Sequence, residues 1–306
     1  MRNSVHLPSR ERSGLLFALA GFVLLSFGDA VVKTLAGEWP PTAVAALRYV
    51  AGALGLSALL GFRQGDQAAF AMPHPRVQFL RGLGVAMATV GFFSAVFVMP
   101  LAAATAITFT SPMLTAILAA VFLKEPANRT TWLATALAFV GVLVLLRPNL
   151  AAIGPAALLP LLAALGMSLL MIGNRFVAGS ASPLAMQVFV AAMAAPVLVV
   201  AALLGHWSGR SGLALTIPDW TIVARCLLVA LSASTAHWLI FVGTTRAGAA
   251  SIAPMTYVQL LVATALGWIF FGNRPDLLTL LGGAIIVGAG LLLWHAGRVR
   301  VPVPVE

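Results

Sequence analysis

The sequence contains few charged residues: only 8% of its 306 residues are Asp, Glu, Lys or Arg. A soluble domain carries about 25% of these residues. The hydrophobic share is instead 61%, and the mean hydropathy is +1.02. The scarcity of charge excludes an ordinary soluble domain and indicates an integral membrane protein.

Cysteine and acidic residues are also scarce. The single cysteine, Cys226, excludes a disulfide framework and a metal site built from several cysteines. Of the eight acidic residues, only Asp29 falls inside an apolar run. A membrane-embedded enzyme needs several converging acids, histidines or metal ligands, and no HExxH, Walker or DxxD motif occurs. We therefore expect a protein that is not an enzyme, with no catalytic residues, no metal and no cofactor.

The formal net charge of +10 is spread singly between apolar runs. No basic stripe with interleaved aromatic residues occurs, so the charge does not indicate nucleic-acid binding. The start, "MRNSVHLPSRERSGLLFALAGFVLL", resembles a signal peptide, but no cleavage site precedes Asp29, and we expect a retained first helix. Placing both termini in the cytoplasm puts most of the 18 Lys and Arg residues on the cytoplasmic side. We expect a multi-pass protein of a bacterial inner membrane.

Apolar windows of about 20 residues, the length that crosses a bilayer, recur along the whole chain. They predict ten transmembrane helices at 14–35, 42–61, 78–99, 101–123, 131–147, 156–174, 184–204, 221–243, 248–271 and 277–295.

The two halves of the chain resemble each other. Lys33 and Pro41 are eight residues apart, as are Arg175 and Pro183, and residues 110–125 align with 258–273. Five spans per half is an odd number, so the second half must insert upside down. The predicted fold class is an all-α integral membrane protein of ten helices in two inverted five-helix repeats. Its parts are a cytoplasmic tail at 1–13, repeats at 14–147 and 156–295, a linker at 148–155 and a cytoplasmic tail at 296–306.

Several motifs resemble the drug/metabolite transporter superfamily, EamA type. They are "GDAVVKTL" in span one, "PPTAVAALRYV" opening span two, "SPMLTAILAAVFLKE" ending span four, and "APMTYVQLLVATALGWIFFGNRPDLLTLLGGAIIVGAGLLL" near the C-terminus. One position departs from the family pattern: Asn273 stands where the second repeat usually has an acid, whereas Glu125 keeps the acid in the first.

This resemblance implies alternating access and transport of a small metabolite without ATP hydrolysis. It favours a secondary transporter that exports a zwitterionic amino-acid-like compound, such as an amino acid or an amino-acid-derived metallophore. The alternative within the family is an importer of a vitamin or cofactor such as riboflavin or S-adenosylmethionine. Coupling to a proton or to an exchange substrate fits either. A membrane enzyme and a passive channel remain the alternatives of other classes.

The acid and base of "GDAVVKTL" are the first candidate site. Asp29 lies about 10 Å below the outer end of span one, and Arg48 of span two is predicted at the same depth. A charge at the membrane centre costs at least about 2.5 kcal/mol, whereas an Asp–Lys pair at i, i+4 supplies only about 0.2–0.5 kcal/mol. We therefore predict that Asp29 bridges Arg48 and Lys33. This bridge could bind substrate or exchange a proton, or it could simply join spans one and two.

Polar residues at mid-membrane positions give the remaining candidates. Thr108 and Ser111 share a face of span four, and the matching stretch of span nine offers Tyr257 and Gln259. We predict that these two helices line one cavity, with ordinary helix packing as the alternative.

His237 in span eight could carry a proton near neutral pH, or be neutral and hydrogen-bonded to a neighbouring helix. Ala284 and Gly288 of span ten have the small-xxx-small spacing of a helix contact, either within the chain or in a homodimer.

Overall fold

The computed structural model describes residues 9–64, 67–122, 129–177, 179–247 and 252–298. Every regular element in these ranges is a helix. Glu125, the acid that fits the family pattern in the first repeat, and the outermost parts of both tails lie outside the described residues.

Eleven α-helices are described, together with four short 3-10 helices. The α-helices are α1 (Ser9–Thr34), α2 (Pro41–Gln64), α3 (Pro75–Val98), α4 (Leu101–Thr108), α5 (Ser111–Phe122), α6 (Arg129–Ile153), α7 (Leu159–Phe176), α8 (Pro183–Trp207), α9 (Trp220–Ala247), α10 (Tyr257–Phe271) and α11 (Leu277–Arg298). The 3-10 helices are Gln67–Phe70, Gly154–Leu158, Ser211–Leu213 and Ala253–Thr256.

Within the described residues, seven helical stretches are long and apolar enough to cross a membrane. One of them, Leu101–Phe122, contains both α4 and α5. Three further apolar helices are shorter: Trp132–Leu145, Tyr257–Phe271 and Leu277–Leu292. The chain is therefore a multi-pass membrane protein.

Two of the predicted spans are interrupted rather than continuous helices. Span four is divided at Phe109 and Thr110 into α4 and α5. Span nine has the 3-10 turn Ala253–Thr256 in front of α10. Pro112 and Pro254 lie beside these breaks, and proline has no N–H to continue the helical hydrogen bonds.

The linker predicted at 148–155 is mostly helical, because α6 continues to Ile153 before the 3-10 turn from Gly154. The apolar residues 150–153 extend the helix. Gly154 has a φ of +64°, a conformation that glycine adopts without steric cost, and it ends α6.

The long helices pack in pairs. Helix α1 packs on α9, α3 on α7, α2 on α8, and α6 on α11. Glycines allow close approach in these pairs: a Cβ at Gly166 of α7 would lie 2.5 Å from the backbone nitrogen of Ala88 in α3. Ala284 and Gly288 of α11 are exposed, and a Cβ at Gly288 would meet nothing within 4 Å. Among the described residues, a contact within the chain through this pair is therefore absent, and the homodimer contact stays a prediction.

The described residues form buried apolar clusters at both ends of the bundle. We call the end with the loop after Thr34 and the turn after Val98 the Lys33 end, and the opposite end, where α3 begins and α7 terminates, the Arg81 end. The largest buried apolar cluster extends to the Lys33 end, where Leu35, Val96 and Leu101 are fully buried. At the Arg81 end the described buried side chains form smaller, separate clusters on α2 with α8 and on α1.

Candidate functional site

Asp29 lies on α1 and is joined to α10. Its Oδ2 accepts a hydrogen bond of 3.0 Å from the Gln259 side-chain amide. One turn earlier, the buried hydroxyl of Ser26 donates to the Gln259 carbonyl at 2.9 Å. The Asp29 carboxylate is therefore held by the neutral amide of Gln259, and the backbone of Gln259 is itself hydrogen-bonded to Ser26 on α1.

Arg48 on α2 supplies the opposite charge. Its guanidinium lies 5.1 Å from the centre of the Tyr49 ring and 5.4 Å from that of Phe93, distances typical of cation–π contact. The Thr89 hydroxyl donates to the Tyr49 hydroxyl at 3.2 Å. Arg48 acts electrostatically on Asp29 and His237. It forms no direct ion pair with Asp29, whose described hydrogen bond is to Gln259, so the predicted bridge from Asp29 to Arg48 is not formed. A planar guanidinium in this position can bind a carboxylate through two parallel hydrogen bonds.

Lys33 contacts a different part of the molecule, so the predicted bridge from Asp29 to Lys33 is wrong. Its ammonium donates to the carbonyls of Val96 at 2.8 Å and Met99 at 2.7 Å. It also lies 5.5 Å from the centre of the Phe271 ring. The end of α3 gives the Lys33 ammonium two carbonyl oxygens. Binding them does not require a carboxylate to be removed from water, as an ion pair with Asp29 would.

His237 is exposed on α9, and its Nδ1 lies 2.7 Å from the Ala233 carbonyl of the same helix. The expected alternative of a bond to a neighbouring helix is therefore wrong, because the carbonyl one turn earlier is within direct reach.

Tyr257 and Gln259 point to different neighbours of α10. The Tyr257 ring packs edge-on against Phe109 of span four, with ring centres 5.6 Å apart and planes at 81°. Its hydroxyl fits against Gly290 of α11, where a Cβ would lie 1.5 Å from the oxygen. Tyr257 thus faces α4 and α11, whereas Gln259 faces α1 and Asp29.

Thr108 and Ser111 contribute to helix packing. The Thr108 hydroxyl donates to the Ala104 carbonyl at 2.9 Å within α4. The Ser111 carbonyl accepts from the buried Ser168 hydroxyl of α7 at 2.9 Å. These contacts place both residues at the break of span four, away from the described hydrogen bonds of Asp29.

Sequence reasoning did not identify Ser26, Tyr49, Phe93 and Ser168. The chain has only two tyrosines, Tyr49 and Tyr257, and this rarity could have drawn attention to Tyr49. Phe93 is one of 17 phenylalanines and carries no comparable signal. In the parts of the chain that the structure describes, no group of three or more His, Cys, Asp or Glu residues could hold a metal ion.

Comparison with known proteins gives matches over nearly the whole chain. The model of the EamA-like transporter family matches residues 12–147 and again 154–294. A riboflavin transporter of Rhizobium johnstonii is 27% identical over 292 residues, covering 94% of this chain and 92% of its own. An S-adenosylmethionine uptake transporter of Rickettsia felis is 27% identical, covering 94% of both chains.

The pseudopaline exporter CntI of Pseudomonas aeruginosa is 26% identical and covers 92% of this chain and 96% of its own. One solved crystal structure has a similar fold, with a TM-score of 0.60 over 95% of this chain and 100% of its own. It is 18% identical in sequence.

Proposed function

The chain belongs to the EamA-like transporter family, and from this premise we propose that it carries a small zwitterionic, amino-acid-like metabolite across the bacterial inner membrane by alternating access. The observation that carries the proposal is that Asp29 on α1 and Arg48 on α2 are both half-buried and held by neutral groups, with Arg48 acting electrostatically on Asp29. The amine of such a ligand can meet Asp29, and its carboxylate can meet Arg48. No step of chemical conversion is part of the proposal.

The proposed architecture is ten spans in two inverted repeats, with repeats at 14–147 and 156–295. Reciprocal packing supports it, because exchanging the halves converts the α1–α9 pair into α7–α3 and leaves the pairs α2–α8 and α6–α11 unchanged. The hydrogen bonds Ser26–Gln259 and Ser168–Ser111 agree with the same register. Ser26 and Ser168 each stand seven residues before the matched Lys33 and Arg175.

Export from the cytoplasm is the proposed direction. The distribution of Lys and Arg assigns the Arg81 end to the cytoplasm. At the opposite end Leu35, Val96 and Leu101 are fully buried, and this packing fits a site that is loaded from the cytoplasm.

Uptake is a second candidate, and the names of relatives favour it. Several similar proteins are named S-adenosylmethionine uptake transporters, and S-adenosylmethionine carries an amine and a carboxylate. The same pair, Asp29 and Arg48, would bind those groups. The two candidates therefore share a site and differ in direction and in the compound carried.

The test is transport of radiolabelled compounds by right-side-out and everted membrane vesicles. The compounds are a mixture of amino acids, S-adenosylmethionine, and riboflavin, which has neither an amine nor a carboxylate to match the pair. We expect saturable transport of a zwitterionic compound, with accumulation in everted vesicles for export or in right-side-out vesicles for uptake. Transport of riboflavin alone would overturn the proposed substrate class.

Asp29→Asn is the first variant to examine, because it keeps the size of the side chain and removes its charge. We expect its transport rate to fall by about tenfold or more, as is usual when a charged hydrogen-bonding group is lost. Asp276→Asn is the matched control, since Asp276 is exposed and caps α11 through the backbone N–H of Thr279. Full transport by Asp29→Asn would contradict the assigned site.

A further inference from the structure

Lys33 caps a helix to which it does not belong. The carbonyls it contacts, those of Val96 and Met99, belong to the last turn and the C-cap of α3. Carbonyls at a helix C-terminus lack intrahelical partners and carry the negative end of the helix dipole. Pro100, which follows, has no N–H to offer them. The ammonium therefore has its counter-charge at the end of α3.

The same ammonium connects three elements at the Lys33 end. It extends from α1 to the end of α3, and it lies over the ring of Phe271, the last residue of α10. Around it, Leu35, Val96 and Leu101 are fully buried. Separating α1 from α3 would break two charge-assisted hydrogen bonds and expose this apolar packing.

A second partner for Lys33 lies on its own helix. Asp29 is four residues earlier, one turn away, at the spacing where acid and base side chains meet on a helix surface. In the described structure the Asp29 carboxylate is bonded to Gln259 instead. Asp29 is thus a carboxylate one helical turn from Lys33 on the same helix.

We propose that Lys33 is a latch that holds the Lys33 end closed while it caps α3 and releases that end when it turns towards Asp29. Lys33 is then a positioning residue rather than a ligand for substrate. The latch is a two-state element, because the ammonium cannot satisfy both partners at once. The inference rests on the proposed function only in assuming that this end opens during a transport cycle.

Cysteine labelling tests the latch without any substrate. The only cysteine is removed by Cys226→Ala, and Ala104→Cys then places a thiol at a fully buried position of α4 near the Lys33 end. A membrane-impermeant maleimide is added to right-side-out and to everted vesicles, so that each face is examined separately. Ala18→Cys, at a fully buried position of α1 near the Arg81 end, is the control reporter.

Lys33→Met keeps the length and the apolar stem of the side chain but cannot donate hydrogen bonds. We expect it to accelerate labelling of the Ala104→Cys thiol by about tenfold, the effect of losing a charged hydrogen bond, and to leave labelling of the Ala18→Cys thiol unchanged. Lys33→Arg can still donate to both carbonyls and should restore slow labelling.

Unchanged labelling of the Ala104→Cys thiol in Lys33→Met would overturn the latch. A parallel increase at the Ala18→Cys thiol would also overturn it, because Lys33 would then hold the whole bundle rather than one end. Failure of the proposed function is distinguishable, since a chain that transports no zwitterion can still show the Lys33 effect.

Discussion

Asp29 and Arg48 are two ionisable side chains on apolar helices of a membrane protein. An isolated charge at the membrane centre costs at least about 2.5 kcal/mol. An amide holds the Asp29 carboxylate, and two aromatic rings hold the Arg48 guanidinium. These partners stabilise the charges without neutralising them. In the proposed function, a zwitterionic ligand brings an amine to Asp29 and a carboxylate to Arg48.

The Ser26 hydrogen bond is predicted to matter for transport, and its counterpart at Ser168 for stability alone. Ser26→Ala and Ser168→Ala each remove one buried hydrogen bond, which should lower the free energy of unfolding by about 1 kcal/mol. Only Ser26 fixes the residue that holds Asp29. We expect Ser26→Ala to slow transport severalfold and Ser168→Ala to leave it near the wild-type rate, as measured in vesicles with equal amounts of protein. Equal losses in the two variants would contradict the assigned role of Gln259.

The loop after α1 contains an ion pair that predicts a pH effect. Arg225 donates to both oxygens of the Glu38 carboxylate, at 2.9 Å from Nη1 to Oε1. The hydrogen bond from Arg225 holds the pKa of Glu38 below its ordinary value of 4.5. A lowered folded-state pKa means that the pair stabilises the fold above that ordinary value and loses this effect as the pH falls through the lower value.

Glu38→Gln should therefore be less stable than the wild type at pH 7, and the difference should be smaller at pH 3. Because the Glu38 side chain is 45% exposed, solvent screens the pair, and we expect a difference of about 0.5 kcal/mol. Thermal melting of the purified protein in detergent at both pH values measures it. A difference of the same size at pH 3 and pH 7 would show that charge is not the cause.

At the scale of single elements, the breaks in spans four and nine organise the interior. Both occur at a proline-containing segment, and each is followed by a residue whose carbonyl accepts a serine hydrogen bond from another helix. Broken helices at matched positions of the two halves are typical of transporters. The Phe109 and Tyr257 rings, one beside each break, meet in the interior. The breaks thus bring span four and span nine into direct contact.

The α3–α7 contact is predicted to tolerate no added methyl group. A Cβ at Gly166 would lie 2.5 Å from both the Ala88 nitrogen and the Gly84 carbonyl oxygen, which are backbone atoms and can move only with α3. We expect Gly166→Ala to lower the free energy of unfolding by about 1–3 kcal/mol, as overpacking usually does. Gly288→Ala is the matched control, since its Cβ would meet nothing within 4 Å. Melting curves of the two variants should diverge, and coincident curves would contradict this contact.

At the scale of the whole molecule, each half supplies helices that pack on the other half. Among the described residues, neither half packs as a separate bundle, because α1 packs on α9 and α3 packs on α7. Small residues such as Gly166 and Gly243 allow these backbones to approach, and association of this kind is common in membranes. The shared interface is where Asp29 meets Gln259, one residue from each half.

The proposed topology predicts that both termini face the cytoplasm. A fluorescent protein fused after residue 306 should be bright, because it folds in the cytoplasm. An alkaline phosphatase fused at the same position should be inactive, because that enzyme needs the oxidising side of the membrane. The opposite pair of results would reverse the proposed orientation and the assignment of the Lys33 end to the outside.

The sequence by itself determined the membrane class, the family resemblance and the approximate position of most helices. These follow from hydropathy and length, which act residue by residue along the chain. It also drew attention to Asp29, Arg48 and Gln259, because a polar side chain in an apolar run is conspicuous. The resemblance to the EamA type is confirmed by the family match over 12–147 and 154–294.

Only the tertiary structure decided which polar groups meet. Asp29 and Gln259 are 230 residues apart, and no spacing rule selects Gln259 over Lys33 as the partner. Lys33 binds the end of α3 because folding brings two otherwise unpaired carbonyls within 2.8 Å of its ammonium. These carbonyls are more than 60 residues away along the chain, so no local pattern indicates them. Local composition determines where helices form. The hydrogen-bond partner of each polar side chain depends on how the helices pack, and that packing is made by residues distant along the chain.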